Sequence, residues 1–218
     1  MEKSILNNHQ TQILDEISKD TNLTPRFYLT GGTALSEFYL QHRFSEDLDF
    51  FTDHDFDSQI ILQSIQKWSN KFAFTYISEV VEPTYIFFIK FPGGNKLKID
   101  FAPYPYISLS PKEKKIKNIQ IDSLLDIAVN KLITVNQRNE VKDFVDLYFL
   151  LKHFTIWDLL SGVKQKFHQE ISPYILATDL LKCQDFDYLP KMIKPLKIEN
   201  LKAFYYQLTE KLSKPMTK

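Results

Sequence analysis

One segment of this chain constrains its fold more than any other: residues 46–51, which read Glu-Asp-Leu-Asp-Phe-Phe. Successive side chains of a β-strand point to opposite faces of the sheet. The alternation therefore predicts a strand in which Leu48 and Phe50 enter a core, while Asp47 and Asp49 lie together on the other face. Like charges held side by side repel each other unless a cation lies between them, so the pattern also indicates a cation site.

A second segment, residues 96–101, repeats this arrangement with the order Lys-Leu-Lys-Ile-Asp-Phe. If this strand neighbours the first, Asp100 joins Asp47 and Asp49 in a cluster of three carboxylates. The expected metal is Mg²⁺, with Mn²⁺ as the alternative, because hard cations prefer carboxylate and polyphosphate oxygen. Two such ions can stabilise the attacking and leaving oxygens of a displacement at phosphorus. An isolated Asp-x-Asp pair is common, and a lone strand aspartate is usually only solvated, so the signal depends on its surroundings.

Two adjacent glycines precede this cluster in residues 29–35, which read Leu-Thr-Gly-Gly-Thr-Ala-Leu. Gly31 and Gly32 fall between a predicted strand and a predicted helix, where a backbone without Cβ can approach a ligand closely and free N–H groups can meet an anion. Thr33 can add a hydroxyl to such a site or cap the helix. Gly-Gly alone also fits an ordinary tight turn, and no Gly-Lys-Ser/Thr follows as in a Walker loop.

The order of the predicted elements favours an α+β fold, in which a small mixed sheet with flanking helices precedes a C-terminal helical region. A boundary near residue 120 separates a catalytic domain over residues 1–120 from a helical domain over residues 121–218. Pro-Gly-Gly-Asn at 92–95 predicts a hairpin turn, and residues 112–117 form a basic run after a proline-rich loop. Helices are predicted near 5–19, 33–41, 58–68, 123–137, 140–152, 156–167, 173–183 and 199–212, and strands near 27–29, 47–52, 72–80, 84–91 and 96–101.

Composition limits the classes of function. The 218 residues include one cysteine, Cys183, which cannot form an intrachain disulfide and fits a reducing compartment. No apolar run is long enough to predict a membrane span, and the N-terminus lacks the apolar core of a signal peptide, so we expect a cytoplasmic protein. The net charge is zero overall, but residues 1–109 carry −5 and residues 110–218 carry +5. This asymmetry fits a metal site that meets polyphosphate or nucleic acid, or two solvated surfaces of opposite sign.

Together these motifs resemble a known family. A strand, a Gly-Gly turn, a helix, a strand with Asp-x-Asp and a later strand with one Asp are similar to nucleotidyltransferases of the polymerase-β type. Gly-Gly-Thr-Ala-Leu at 31–35 followed by Arg-Phe-Ser-Glu-Asp-Leu-Asp at 43–49 resembles the AbiEii/AbiGii toxin family of nucleotidyltransferases. Residues 126–132 and 141–148 resemble the second half of that family's pattern. The resemblance covers residues 28–151 and leaves the role of residues 152–218 open.

The resemblance implies roles for residues in the first half of the chain. Asp47 and Asp49 would bind the metal, and Asp100 would complete its site or help to activate the acceptor hydroxyl. The residues that would contact the nucleotide are Gly31, Gly32, Thr33, Arg43 and Ser45. Arg43 could instead brace the loop before the Asp-x-Asp pair.

In the second half, Lys131 would reach the triphosphate, where its charge offsets negative charge on the pyrophosphate leaving group. Asp143 would act near the acceptor. Structural alternatives stay open for both: Lys131 as a lysine on a helix surface, and Asp143 or Asp146 as an ion-pair partner of a neighbouring cation. Asp126 is interpreted as a capping residue.

The activity that this resemblance implies is transfer of a nucleoside monophosphate from an NTP to an acceptor hydroxyl. RNA, tRNA in particular, is the favoured acceptor. The resemblance further implies a toxin of a bacterial toxin–antitoxin or phage-defence system, with a cognate antitoxin as a partner. Two other classes remain open: a metal-dependent glycosyltransferase that uses Asp-x-Asp to bind a nucleotide sugar, and an inactive nucleotide-binding module.

Overall fold

The first half of the chain forms a sheet of seven strands in this computed structural model. The structure describes residues 4–214. Across the sheet the strands follow the order β3-β4-β5-β2-β1-β7-β6. β2 is parallel to β5, and β1 is antiparallel to β2 and parallel to β7, so the predicted mixed sheet is confirmed. The strands are β1 (Tyr28–Thr30), β2 (Leu48–Thr52), β3 (Thr75–Val81), β4 (Thr84–Lys90), β5 (Lys96–Pro103), β6 (Lys115–Ile116) and β7 (Ile119–Ile121).

Three helices accompany the sheet and five follow it among the described residues. The helices are α1 (Asn8–Lys19), α2 (Gly31–Leu35), α3 (Ser58–Phe72), α4 (Leu124–Gln137), α5 (Val141–Leu150), α6 (Ile156–Phe167), α7 (Pro173–Leu181) and α8 (Ile198–Leu212). A π-helical turn over Ser36–Leu40 continues α2, and a 3₁₀ turn over Lys182–Asp185 follows α7. None of the helices within residues 4–214 combines the length and apolar character needed to cross a bilayer.

The alternation in β2 and β5 decides which face of the sheet enters the core. Leu48, Phe50 and Phe101 have no exposed surface, because their faces of β2 and β5 pack inward. On β3, whose side chains alternate in the same way, the Tyr76 hydroxyl donates a hydrogen bond to Gln66 of α3. That helix therefore covers the face to which Tyr76 points, and the acidic residues of β2 and β5 lie on the other face.

Local capping explains where two helices differ from their predicted ends. α1 begins at Asn8 instead of residue 5, because Asn7 accepts a hydrogen bond from the Gln10 backbone N–H while the Gln10 side chain bonds back to Asn7. α3 continues to Phe72, four residues beyond the prediction, and ends where Ala73 adopts the left-handed conformation with φ +53°.

Residues 112–121 contain two strands that the sequence analysis missed. β6 has two residues and β7 three, and they pair antiparallel around a turn at Lys117, whose φ is +52°. No strand was predicted there, because segments this short carry too few residues for alternation to be visible among the lysines. β7 joins the large sheet beside β1.

The chain divides into two compact units. Among the described residues, the first contains residues 4–39, 45–107 and 111–123, and the second contains residues 40–44, 108–110 and 124–214. Within the second unit the Asp126 carboxylate accepts hydrogen bonds from the backbone N–H groups of Leu109 and Ser110 and from Lys166, which ties residues 108–110 to the helices. The division into domains at residue 120 stays a prediction.

Candidate active site

Two carboxylates lie opposite each other at the centre of the sheet. In the parallel pairing of β2 and β5, Asp49 is in register with Asp100. Asp47 precedes Asp49 by two positions and therefore shares its face. All three are half-buried, whereas Leu48 between the aspartates of β2 is fully buried. The structure thus places Asp49 and Asp100 side by side on neighbouring strands, with Asp47 on the same face.

A lysine of the same sheet face lies within this group of carboxylates. The ammonium of Lys98 donates a hydrogen bond to Asp100 Oδ2. Burial lowers the pKa of Lys98, but the bond to Asp100 and the negative charges of Asp100, Asp49 and Asp47 outweigh burial and raise it. A cation at this position is therefore within electrostatic range of all three aspartates.

The donor set fits Mg²⁺ in its chemistry, since it consists of carboxylate oxygens beside one another on a partly exposed face. Within residues 4–214, no three acidic, histidine or cysteine side chains converge closely enough to enclose one ion. The Lys98 ammonium is bonded to Asp100, and the metal role of the three aspartates stays a prediction.

The glycine turn packs directly against the Asp-x-Asp pair. Gly31 has φ +70°, and a Cβ added there would overlap Asp49 Oδ2, so only glycine fits beside that carboxylate. Thr33 is fully buried, and its hydroxyl donates to the backbone carbonyl of Asp47. Gln10 of α1 donates to the backbone carbonyl of Ser45 at 2.9 Å. The turn and the loop before β2 are thereby fixed against each other.

An open cavity of about 500 Å³ adjoins this site on the side of β3, β4 and β5. Glu46 and Asp47 contribute negative charge to its lining, and Lys90, Lys96 and Lys98 contribute positive charge. Phe88 also lines the cavity and is 42% exposed. No pattern in the sequence indicates this cavity, because its lining depends on which strands are neighbours.

The second unit contains a buried network of ion pairs. Asp146 has no exposed surface and accepts hydrogen bonds from Arg43 Nε at 2.6 Å and Arg43 Nη2 at 2.8 Å. Lys131 Nζ lies 2.7 Å from Asp143 Oδ1 and 2.6 Å from Asp146 Oδ2. Arg138 Nε completes the network with a bond of 2.7 Å to Asp143.

This geometry decides between some of the structural alternatives for these residues. Lys131 is only 7% exposed, so its interpretation as a surface lysine was wrong. Arg43 holds Asp146 with two hydrogen bonds, and its contact with a nucleotide stays a prediction. Asp146 and His42 were not among the predicted site residues, although the spacing of Asp143 and Asp146 on one helical face was a usable signal.

Mutual neutralisation keeps the acidic members of the network charged. Burial raises the pKa of Asp146, but Arg43, Lys131 and His42 outweigh burial and hold that pKa well below its ordinary value. The pKa of Asp143 is lowered in the same way by Lys131 and Arg138. His42 Nε2 lies 2.7 Å from Asp146 Oδ1, yet burial of its ring lowers the pKa of His42 from its ordinary value.

Comparisons with known proteins found a curated relative and solved structures of the same fold. The chain is 37% identical over 164 residues to an uncharacterized protein of Aquifex aeolicus (strain VF5), a match that spans 73% of this chain and 74% of that protein. Among solved structures, JHP933 from Helicobacter pylori has a TM-score of 0.53 at 23% identity, covering 94% of this chain and 92% of that one. MenT4, a nucleotidyltransferase toxin of Mycobacterium tuberculosis H37Rv, has a TM-score of 0.58 at 17% identity, covering 94% and 82%. Both have the same fold as this chain.

The family whose model matches is described as "Nucleotidyl transferase AbiEii toxin, Type IV TA system", and the match covers residues 12–205. It therefore includes the glycine turn, the three aspartates, the buried network and most of the helical region. The chain belongs to the AbiEii family and is a nucleotidyltransferase.

Proposed function

We propose that this protein transfers a nucleoside monophosphate from an NTP to a hydroxyl group of RNA, with tRNA as the favoured RNA, in a reaction that depends on Mg²⁺ or Mn²⁺. The observation that carries the proposal is the position of Asp49, which faces Asp100 on the next strand and contacts the Gly31 turn on its other side. A carboxylate pair beside a turn that lacks a side chain suits a metal-bound polyphosphate.

Each residue of this site has a proposed task. Asp47 and Asp49 would hold the divalent cation, which supplies positive charge to the phosphate oxygens when bound. The turn of Gly31 and Gly32 would receive the phosphates through its backbone. Asp100, on the strand farther from the turn, would complete the metal site or accept the proton of the attacking hydroxyl.

The remaining nucleotide contacts follow from the family resemblance. Thr33 and Ser45 would support the phosphate site by anchoring the segments in which they lie. Arg43 would support it by bracing the loop before the Asp-x-Asp pair. We retain Lys131 as the proposed contact of the triphosphate, with Asp143 orienting its ammonium and lying near the acceptor. Their hydrogen bond of 2.7 Å supports a shared task for the two residues.

The biological setting is part of the proposal. A family of toxins in type IV toxin–antitoxin systems suggests that this chain arrests bacterial growth in the cytoplasm and is opposed by a cognate antitoxin. The net charge of +5 in residues 110–218 favours an acceptor with a phosphate backbone over an acidic protein.

The test is incubation with each α-phosphate-labelled NTP, Mg²⁺ and total bacterial RNA, followed by identification of the labelled molecule. We expect label on RNA, abolished by EDTA and by Asp47→Asn. Label on protein would replace RNA as the acceptor. Transfer from nucleotide sugars in place of NTPs would indicate a glycosyltransferase, and no transfer at all would indicate an inactive nucleotide-binding module. Growth arrest on expression, absent for Asp49→Ala, tests the toxin role separately.

A further inference from the structure

The order of the strands gives the proposed reaction a direction across the sheet. β1, which leads into the glycine turn, lies on one side of β2, while β5, β4 and β3 follow on the other side. Asp49 and Asp100 occupy the middle of this row. A polyphosphate received at the turn therefore lies on the β1 side of the carboxylates, and the surface of β3 to β5 lies on the opposite side.

Phosphoryl and nucleotidyl transfers proceed with the attacking and leaving oxygens roughly in line on opposite sides of phosphorus. The new bond joins the acceptor oxygen to the α-phosphorus of the NTP. The bond between that phosphorus and the oxygen bridging to the β-phosphate breaks, its electron pair leaves with pyrophosphate, and the hydroxyl proton passes to a carboxylate or to water. With pyrophosphate leaving on the side of the glycine turn, the acceptor must enter from the side of β4 and β3.

The surface on that side has the chemistry of a nucleic-acid site. We name it the strand cleft and define it by the cavity residues Asp47, Ile77, Phe88, Lys90 and Lys96. Ile77 and Phe88 are paired across β3 and β4 and are 67% and 42% exposed. The cleft thus offers an aromatic ring and an aliphatic side chain beside the carboxylates. Within the described part of the first unit, no helix or strand covers this face.

Two lysines in the strand cleft are paired directly with each other across neighbouring strands. Lys90 of β4 is directly opposite Lys96 of β5, and both are exposed. Like charges directly opposite each other destabilise a strand pair, and an anion between them removes that cost. Lys96 precedes Asp100 by four positions on β5, roughly 13 Å along the strand. An anion at the lysines is therefore some distance from the reacting atoms, as expected for a phosphate farther along a bound strand.

We propose, on the basis of the function proposed above, that the strand cleft binds the hydroxyl-bearing end of a single-stranded nucleic acid, with Phe88 stacking on a base and Lys90 and Lys96 contacting a backbone phosphate. Aromatic rings combined with cations along an open groove are the usual components of single-strand binding. A cavity of about 500 Å³ falls in the range that holds one small ligand, about 300–1,000 Å³, and is large enough for one terminal nucleotide.

The experiment measures binding of a 5′-labelled ten-nucleotide single-stranded RNA by fluorescence anisotropy, and binding of Mg-NTP in a separate titration. The variants are Phe88→Ala, Lys90→Ala and Lys96→Ala. The controls are Val80→Ala, an exposed β3 residue that points to the other face, and Lys67→Ala, an exposed lysine of α3. Circular dichroism and thermal unfolding verify that each variant is folded.

We expect Phe88→Ala to weaken RNA binding about tenfold, in line with the loss of one stacked base. Each lysine variant should reduce the slope of log K against log salt concentration by about 0.7, the value for one single-strand phosphate. Mg-NTP binding and both controls should remain at the wild-type level.

Three results would overturn the assignment: RNA binding unchanged in all three variants, a loss of Mg-NTP binding instead, or wild-type protein that does not bind the oligonucleotide. If the cleft variants impair labelling of a protein and leave RNA binding unchanged, the occupant is a polypeptide and the assignment is also wrong. RNA binding is measured without nucleotide transfer, so the two proposals can fail separately. A wild type that binds RNA but transfers no nucleotide contradicts the proposed function. The strand cleft is then tested by RNA binding of its variants alone.

Discussion

At Gly31, the absence of a Cβ atom decides whether the site can form. Its positive φ and its contact with Asp49 leave no room for a Cβ. From the sequence, Gly-Gly predicted a turn and a close approach to a ligand. The closest neighbour that the structure shows is instead a side chain of the site itself. The sequence could not reveal this contact, because it arises from the antiparallel pairing of Thr30 with Asp49.

Gly31→Ala should lower nucleotidyl transfer by about 100-fold, because displacing a catalytic group by about 1 Å can cost that much. The matched control is Gly94→Ala, which has a similarly positive φ of +91° but an open surrounding. Both variants should lose stability through backbone strain, measured by thermal unfolding. Equal transfer rates for the two variants would show that Gly31 does not position Asp49.

Lys98 is a residue whose importance only the structure makes visible. In the sequence it is one of two lysines that alternate with apolar residues, but it bonds to Asp100 and balances the charges of Asp49 and Asp47. We expect Lys98→Met to cost about 1 kcal/mol in EDTA, which for a chain of this size lowers Tm by roughly 2–4 °C.

Added Mg²⁺ should reduce this difference, since it would replace the missing positive charge. Thermal unfolding with and without Mg²⁺ measures both effects, and Lys96→Met on the same strand is the control. Identical behaviour of the two variants in EDTA would contradict the neutralising role of Lys98.

At the scale of elements, the buried network joins the segment 40–44 to helices α4 and α5 within the second unit. Helical spacing predicted that Asp143 and Asp146 share a face, and both do lie in one network. The partner Arg43 is more than a hundred residues away in the sequence, so no local pattern could identify the pair. The same limit applies to β6 and β7, which exist because β1 provides an edge for β7.

Asp146→Asn should destabilise the protein by about 3–5 kcal/mol, because it leaves the buried charges of Arg43 and Lys131 without their shared partner. Urea unfolding measures this loss. Asp187→Asn, at an exposed position, should change stability by less than about 0.5 kcal/mol. A loss of under about 1 kcal/mol for Asp146→Asn would show that the network contributes little to folding.

Acidification should destabilise the protein in two stages. The pKa of His42 is below 6.5 in the folded protein, so the unfolded chain binds the proton first and stability falls as the pH drops below about 6.5. The pKa values of Asp143 and Asp146 are below 3.8 when folded. Their contribution is complete above pH 3.8 and is lost as the pH falls further.

Urea midpoints measured from pH 7.5 to pH 3 test both stages. The first stage should be reduced in His42→Asn, which retains a hydrogen-bond donor for Asp146, and unchanged in His153→Gln, which alters an exposed histidine. A wild type that becomes more stable between pH 7 and pH 5 would contradict the neutral, buried state of His42.

At the scale of the whole molecule, the sequence predicted the class of fold, the family and the three aspartates on one sheet face, because each rests on a local alternation or a short motif. It could not predict the strand cleft, whose residues come from three neighbouring strands and the loop before a fourth. It also missed Lys98 as the partner of Asp100, since strand periodicity places a residue on a face but does not select its contact.

The most direct measurement of the central claim is the single-turnover rate of transfer from an α-phosphate-labelled NTP to RNA, with Mg²⁺ present. The variants are Asp47→Asn, Asp49→Asn and Asp100→Asn. The control is Glu79→Gln, an exposed carboxylate of β3 on the same face of the sheet as the aspartates. We predict that each aspartate variant slows transfer by about 100-fold or more, while the control retains the wild-type rate. Wild-type transfer by all three aspartate variants would contradict the assignment of this carboxylate cluster as the active site.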